Sequence, residues 1–255
     1  MTAVPLRSSL LPAAHGFFTR RGGVSTGPYA ELNCSLSGAD APAAVAENRA
    51  RAARALGLAP ARLVGLSQVH GTAVVVVDRP WMAGTGPRAD AMVTDRAGVG
   101  LAVVTADCAP VLLADPAAGV IGAAHAGWRG AVAGVIAATV AAMTALGARP
   151  ERIAAAVGPC IGQASYEVGA DLRAALLAAD PGGARFLAPG RRDERWQFDL
   201  SGYCLARLRA AGVGSAEALA ADTAADAERF FSHRRRTLGA GGPIGHQISI
   251  VALAG

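Results

Sequence analysis

Nearly continuous apolar runs in the middle of the chain, separated by short polar segments, predict a buried sheet. Residues 100–106, 111–114 and 120–124 contain almost no polar side chains. A strand with one solvated face alternates apolar and polar residues, so such runs are typical of strands that are covered on both faces. The Asp, Pro and Gly of residues 115–119 predict a turn between the last two strands. We therefore expect three consecutive strands here, enclosed by other elements.

Further segments around this centre predict helices and additional strands. Asp40 stands where it can cap a first helix, with Pro42 just inside its start and Gly57 after its end. The predicted helices cover residues 42–56, 131–148, 167–178 and 200–210. The other predicted strands cover residues 63–66, 74–78, 91–94, 153–157 and 248–253. The pattern favours one α/β domain over residues 1–255, a layered α–β sandwich in which helices flank a mixed sheet.

Composition narrows the class of protein. With 52% hydrophobic and 17% charged residues among 255, the chain is not disordered. Four Cys in a chain of this length do not make a disulfide scaffold. Every basic residue is Arg, which excludes lysine Schiff bases and a Walker-A lysine. Five His are too few for a multinuclear copper cluster that takes most of its ligands from histidine.

Charge and hydropathy predict a cytoplasmic protein with reduced thiols that binds neither nucleic acid nor membrane. The net charge is +5, but Arg is spread along the chain and clusters only at residues 191–192 and 234–236, which we interpret as solvated surface. The N-terminus does not resemble a signal peptide. Residues 131–148 contain no charged side chain, which raises the question of a membrane span. Their Ala, Gly and Thr content indicates a buried helix instead. We expect a monomer or a weak homodimer.

Three potential metal ligands stand at the ends of predicted strands. His70, Cys108 and His125 are each flanked by residues that end a strand and expose a side chain. One Cys with two His is a set of three protein ligands that leaves a fourth position of zinc open for water or substrate. The alternative interpretation is a buried Cys and two unrelated His. The spacing does not decide between them.

Neighbouring residues extend this hypothesis. Asp107 directly precedes Cys108 and could orient a ligand or act as a base, or could simply form a turn. Arg129, at the start of the predicted Ala-rich helix, is suited to a phosphate group or is an ordinary surface residue. Trp128 could stack on a planar ligand or pack in the core. Cys160, in a Gly/Pro-rich loop, is a small packing residue, a nucleophile or a metal ligand.

Short motifs along nearly the whole chain occur together in one known family. They are residues 16–20 (GFFTR), 22–25 (GGVS), 32–33 (LN), 46–49 (AENR), 68–71 (QVHG), 90–91 (DA), 105–111 (TADCAPV), 125–130 (HAGWRG), 158–162 (GPCIG), 166–168 (YEV) and 230–232 (FFS). With these motifs the chain resembles the YfiH/laccase-domain family, whose members are labelled polyphenol oxidase or purine nucleoside phosphorylase.

The resemblance implies stacked helical and sheet layers and a metal, usually zinc, on His70, Cys108 and His125. It implies phosphorolysis of adenosine, inosine and methylthioadenosine, with some adenosine deamination. Two other activities stay open: copper-dependent oxidation of phenols, with Cu²⁺ in place of Zn²⁺, and a cysteine-type hydrolase that edits peptidoglycan precursors.

We expect a small-molecule site for a purine nucleoside and phosphate. The residues expected to take part in catalysis are Cys108, Asp107 and Arg129. Those expected to bind substrate are Arg20, Asn33, Arg129 and Tyr166.

The chain departs from the family pattern near its end. Family members often have Cys-Thr before the Phe-Phe-Ser motif and Thr-Gly-Arg before the last strand. Here the residues are Asp222-Thr223 and Ile244-Gly245-His246. The replacement of that Arg by His246 affects one expected anion contact and leaves the three ligand positions unchanged.

Overall fold

Two stacked sheets, with helices on their outer faces, form the centre of the protein. The computed structural model describes residues 3–253. Within that range the strands are β1 (Pro5–Leu6), β2 (Ala14–Phe18), β3 (Leu63–Gly65), β4 (Val74–Val76), β5 (Ala91–Thr94), β6 (Gly100–Thr105), β7 (Ala109–Asp115), β8 (Val120–Ala126), β9 (Ala154–Val157), β10 (Glu167–Val168), β11 (Leu187–Pro189), β12 (Trp196–Phe198), β13 (Ser215–Ala218) and β14 (Gln247–Ala252). The α-helices of the same range are α1 (Pro42–Arg54), α2 (Trp128–Ala133), α3 (Val135–Ala145), α4 (Ala170–Ala179), α5 (Leu200–Ala210) and α6 (His233–Leu238).

Both large sheets are mixed. The first has five strands in the order β1-β2-β14-β6-β3, in which only β3 and β6 are parallel neighbours. The second has six strands in the order β13-β9-β7-β8-β5-β4, with parallel pairs at its two edges. A small third sheet has the order β10-β12-β11. The predicted strands are all present, with bounds that shift by two residues or fewer.

Three apolar cores separate the layers. Phe17, Leu101 and Val251 of the five-stranded sheet pack against Leu112 and Ile121 of the six-stranded sheet. A second core lies between the six-stranded sheet and the helices α3, α4 and α5. A third lies between α1 and the outer face of the five-stranded sheet. The order of layers is therefore helix, sheet, sheet, helices.

This order confirms the predicted α/β layered sandwich and corrects one part of it. The single mixed sheet expected from the sequence is two sheets, packed face to face. An apolar strand face has the same composition whether a helix or a second sheet covers it, so the apolar runs could not distinguish these arrangements.

The predicted helix over residues 131–148 is divided in two. Gly134 ends α2 in the left-handed conformation, with φ of 104°, and α3 begins directly after it. Glycine adopts this conformation without steric penalty, which explains the break at this position. Within residues 3–253, none of the helices has both the length and the apolar character needed to cross a bilayer.

Two smaller predictions about helix starts are wrong. Glu167 and Val168 are not the first turn of a helix, because they pair with β12 as strand β10, and α4 begins at Ala170. Asp40 does not cap α1, whose N-cap is Ala41. The Asp40 carboxylate instead accepts hydrogen bonds from the side chains of Ser25 and Asn33, since these approach it from the neighbouring loop.

Candidate metal centre

The fold brings His70, Cys108 and His125 together at the junction of the two large sheets. Their ligand atoms all lie within 4.8 Å of one another, and the Cys108 Sγ is 3.8 Å from the His70 Nε2. His70 comes from the loop after β3, Cys108 from the turn between β6 and β7, and His125 from the end of β8. Because β6 belongs to one sheet and β7 to the other, the turn that carries Cys108 is the crossing point between them.

The backbone at this junction is strained at two positions that are not glycine. His70 has φ of 61° and Asp107 has φ of 89°, both in the left-handed region. Such a conformation costs about 1–3 kcal/mol for a residue with a side chain, and it persists only where the surroundings enforce it. Here the turns direct the side chains of His70 and Cys108 toward each other.

Asp90 holds two of the three ligands in place. This buried carboxylate, just before β5, accepts hydrogen bonds from the backbone N–H groups of Val69, His70 and Gly71 at 2.6–3.2 Å. It also accepts one from Nδ1 of His125 at 2.8 Å. With Nδ1 donating to Asp90, the Nε2 lone pair of His125 is left for a metal.

The charges of the three ligands are coupled. Burial by itself raises the pKa of the Cys108 thiol, but the charge of His125 and the hydrogen bonds from His125 and His70 outweigh it and lower that pKa to about 6. Burial likewise lowers the pKa of His125, and the Cys108 thiolate and Asp90 outweigh it and raise that pKa to about 9. The thiolate is the form that binds metal, so the site holds Cys108 ready as a ligand.

The three side chains fit a zinc or copper ion. Zn–S and Zn–N bonds of about 2.3 and 2.0 Å at tetrahedral angles put ligand atoms about 3.5 Å apart, close to the separation of Cys108 Sγ and His70 Nε2. Gly127 makes room for this arrangement. A Cβ at Gly127 would lie 2.8 Å from a ring carbon of His70 and 3.0 Å from the sulfur of Cys108. A thiolate and two imidazoles suit Zn²⁺ or copper far better than Mg²⁺ or Ca²⁺.

The three ligands stand in the wall of a cavity of about 540 Å³. This volume is within the range of roughly 300–1,000 Å³ that is typical of small-molecule sites. Other lining residues are Gln68, Trp128, Arg129, Tyr166, His233 and Arg234. Arg129 is exposed, and its guanidinium lies 4.5 Å from the centre of the Trp128 ring. Tyr166 is half-buried, and burial raises the pKa of its phenol, which is therefore protonated.

Asp107 lies in this wall, but its hydrogen bonds differ from those expected. Its carboxylate accepts from the hydroxyls of Thr223 and Ser232 and from the backbone N–H of Arg234. It thus joins the crossing point between the sheets to the segment that leads into α6. The role of orienting a ligand, which the sequence suggested for Asp107, belongs to Asp90. The sequence signals for Asp90 were its position before a buried strand and the short family motif of residues 90–91, neither of which indicated this role.

Two predicted substrate-binding residues do not line the cavity. The Arg20 guanidinium donates to the carbonyls of Ala30 and Ala227 and stacks on Phe231. The Asn33 side chain is fully buried and bonds to Asp40 and to backbone N–H groups. The predicted residues that the fold does bring to the cavity are His70, Asp107, Cys108, His125, Arg129 and Tyr166.

Two remaining candidates from the sequence, Cys160 and Asp222, stabilise the fold. Cys160 is buried, and burial raises the pKa of its thiol, which removes the thiolate that a nucleophile needs. Asp222, at one departure from the family pattern, accepts hydrogen bonds from Ser165 and from the backbone of Ala224. The next residue, Thr223, is the partner of Asp107. The side chain of Asp222 therefore stabilises the loop that presents Thr223.

Fold and site together define a layered α/β protein in which three side chains that could bind a metal ion, two His and one Cys, meet at the junction of its two large sheets. The chain belongs to the family described as multi-copper polyphenol oxidoreductase laccase, which matches residues 14–254. This confirms the resemblance that the motifs indicated.

Relatives and solved structures agree with this membership. A protein named purine nucleoside phosphorylase ORF3 from Streptomyces griseus is 50% identical over 229 residues, which are 89% of this chain and 92% of that protein. A purine nucleoside phosphorylase from Deinococcus radiodurans is 49% identical over 233 residues, 90% of this chain and 87% of that protein.

The fold matches solved structures over almost its whole length. The crystal structure of Neisseria meningitidis protein NMB0706 has a TM-score of 0.86 at 35% identity, covering 100% of this chain and 99% of that one. The structure of YlmD from Geobacillus stearothermophilus has a TM-score of 0.85 at 30% identity, covering 99% and 100%.

Proposed function

We propose that this chain is a metal-dependent purine nucleoside phosphorylase that acts on adenosine, inosine and methylthioadenosine. The observation that carries the proposal is that one cavity combines a metal-ligand trio with guanidinium groups and an aromatic ring. Such a cavity offers contacts for an oxyanion and for a planar base. The names of the relatives from Streptomyces griseus and Deinococcus radiodurans support the same activity.

The reaction exchanges one bond at the ribose anomeric carbon. The bond between C1′ and the purine nitrogen breaks, its electron pair leaves with the base, and a phosphate oxygen forms the new bond to C1′. The base gains a proton, and the products are free purine and ribose 1-phosphate. A zinc ion held by His70, Cys108 and His125 would supply Lewis-acid polarisation of a substrate oxygen.

The side chains of the chain itself bind and orient the reactants. Arg129 offers a charged donor to phosphate, and the ring of Trp128 offers a surface on which a purine can stack. The Tyr166 phenol, which lines the cavity and stays protonated, would be a hydrogen-bond donor to a bound substrate. Cys108 acts as a metal ligand and not as a nucleophile. Asp107 holds the segment that carries Arg234 against the cavity.

A side activity and a location complete the proposal. In deamination of adenosine, water would replace the exocyclic amino group and ammonia would leave, in the same cavity. Four cysteines without disulfide partners suit the reducing cytoplasm, where we place the enzyme.

Two other functions are each favoured by one observation. The description of the family favours copper-dependent oxidation of phenols, and copper accepts a two-His, one-Cys ligand set. The lowered pKa of Cys108 beside His125 favours a cysteine hydrolase that acts on an amide of a cell-wall precursor.

One experiment separates the three functions. Zinc-loaded and chelated protein are incubated with each purine nucleoside, with and without phosphate, under anaerobic conditions. We expect equal amounts of free base and ribose 1-phosphate from zinc-loaded protein, only when phosphate is present, and none after chelation. In parallel assays with a phenol in air, turnover that requires added copper and dioxygen would favour the oxidase. In parallel assays with an amide of a cell-wall precursor, hydrolysis that survives chelation, in a protein that forms no sugar phosphate, would favour the hydrolase.

A further inference from the structure

A buried arginine without an acidic partner lies in the wall of the same cavity. Arg49, on α1, is only 7% exposed and lines the cavity beside Gly65. Its Nη1 donates to the carbonyl oxygen of Cys34 at 3.2 Å, whereas its Nη2 is buried without any hydrogen-bond partner. It forms no ion pair with the acidic residues of the described range.

An unpaired buried cation is costly, because its charge has lost water and gained no counter-charge. The neighbouring Cys34 thiol does not supply one, since burial raises its pKa to about 12 and keeps it neutral. Gly65 leaves space for the guanidinium, because a Cβ there would be 3.3 Å from Nη2. The position is thus shaped around a charge that no residue of the described chain neutralises.

A second polar atom without a partner accompanies Arg49. His246 also lines the cavity, and its Nδ1 is buried without a hydrogen bond. The two residues are linked through the backbone of Cys34, whose N–H donates to the His246 carbonyl and whose carbonyl accepts from Arg49. Burial lowers the pKa of His246 to about 4, so the ring is neutral and offers one N–H.

We infer that Arg49 and His246 form an oxyanion subsite, and that the inorganic phosphate consumed by the reaction binds there. An oxyanion supplies the missing counter-charge to Arg49 and accepts hydrogen bonds from both orphaned nitrogens. The assignment of phosphate rests on the proposed function, whereas the need for an anion rests on Arg49 alone. The exposed Arg129 then guides phosphate inward, and the buried Arg49 holds it.

The decisive variant is Arg49→Met, with the exposed Arg62→Met as its matched control. In zinc-loaded protein without nucleoside, inorganic phosphate should raise the melting temperature of the wild type and of Arg62→Met, but not of Arg49→Met. In turnover, Arg49→Met should raise the KM for phosphate by roughly tenfold to a hundredfold and change the KM for nucleoside far less. Because the variant removes an unpaired buried charge, it should remain folded.

A second variant acts in the opposite direction. His246→Arg restores the charged residue that the family pattern has at this position and adds a charged donor to the subsite. We expect a lower KM for phosphate and a larger stabilisation by phosphate than in the wild type.

Three results would overturn the inference. One is full stabilisation of Arg49→Met by phosphate together with an unchanged KM for phosphate. Another is a change in the nucleoside KM alone, which would assign the subsite to the nucleoside. The third is stabilisation that depends on Arg49 with adenosine 5′-monophosphate but not with inorganic phosphate. Stabilisation by phosphate is measured without turnover. If the wild type has no phosphorylase activity, but phosphate stabilises the wild type and not Arg49→Met, the proposed function is refuted and the anion subsite is retained.

Discussion

Two groups of polar side chains in and behind the cavity wall differ in how fully their hydrogen bonds are satisfied. Around the metal ligands, Asp90 accepts from four donors and Asp107 from three. At the other group, Arg49 and His246 each retain a buried nitrogen with no partner. The three candidate metal ligands are therefore organised by the chain alone, whereas the second group has buried nitrogens that a ligand would satisfy.

The largest effect should follow from changing the acceptor that organises the metal ligands. In Asp90→Asn, one carboxylate oxygen becomes an amide nitrogen, which cannot accept a hydrogen bond from the backbone N–H groups that face it. Each group left unsatisfied costs about 1–3 kcal/mol, and zinc affinity should fall roughly tenfold to a hundredfold. Denaturant unfolding and a competitive zinc titration measure the two losses. The exposed Asp95→Asn is the matched control, and equal behaviour of the two variants would show that Asp90 does not organise the site.

A smaller effect is expected at the other carboxylate. Asp107→Asn should loosen the segment from Thr223 to Arg234, because one of its oxygens no longer accepts a hydrogen bond. We expect faster amide hydrogen exchange in that segment and a destabilisation of about 1–2 kcal/mol, with the zinc stoichiometry preserved. Loss of zinc without faster exchange would mean that Asp107, and not Asp90, supports the ligands.

The space around the ligands can be tested without changing any polar group. Gly127 has ordinary backbone angles, so Gly127→Ala is tolerated by the backbone, but its methyl group would press on His70 and Cys108. Zinc affinity should decrease while the unfolding free energy of the zinc-free protein changes little. Gly38→Ala, where a Cβ meets only one ring carbon at 3.7 Å, is the control. Unchanged zinc affinity in Gly127→Ala would contradict the close packing of the trio.

The smallest effect is expected at Arg129. Its guanidinium is exposed, so solvent and salt screen its interaction with phosphate. Arg129→Ala should raise the KM for phosphate by less than Arg49→Met does, and the difference from wild type should shrink as ionic strength increases. An effect of Arg129→Ala that equals or exceeds that of Arg49→Met would reverse the two roles.

Much of the metal centre could be predicted from the sequence, because strand ends and specific motifs marked His70, Cys108 and His125. Asp90 and Arg49 were not recognised as site residues. A single Asp before a strand is also a common turn residue, and an Arg within a helix is usually exposed. Only the packing of α1 on the sheet shows that Arg49 is buried and unpaired. The same limit applies to the fold, since apolar strands do not reveal what covers them.

The account depends most on the metal bound by the trio, and one measurement tests this directly. Zinc content is determined in purified wild type, in Cys108→Ala and in Cys204→Ala, which removes another buried thiol from a helix remote in sequence from the ligands. We predict about one equivalent of zinc in the wild type and in Cys204→Ala, and almost none in Cys108→Ala. A full equivalent of zinc in Cys108→Ala would contradict the assignment and the proposed function that rests on it.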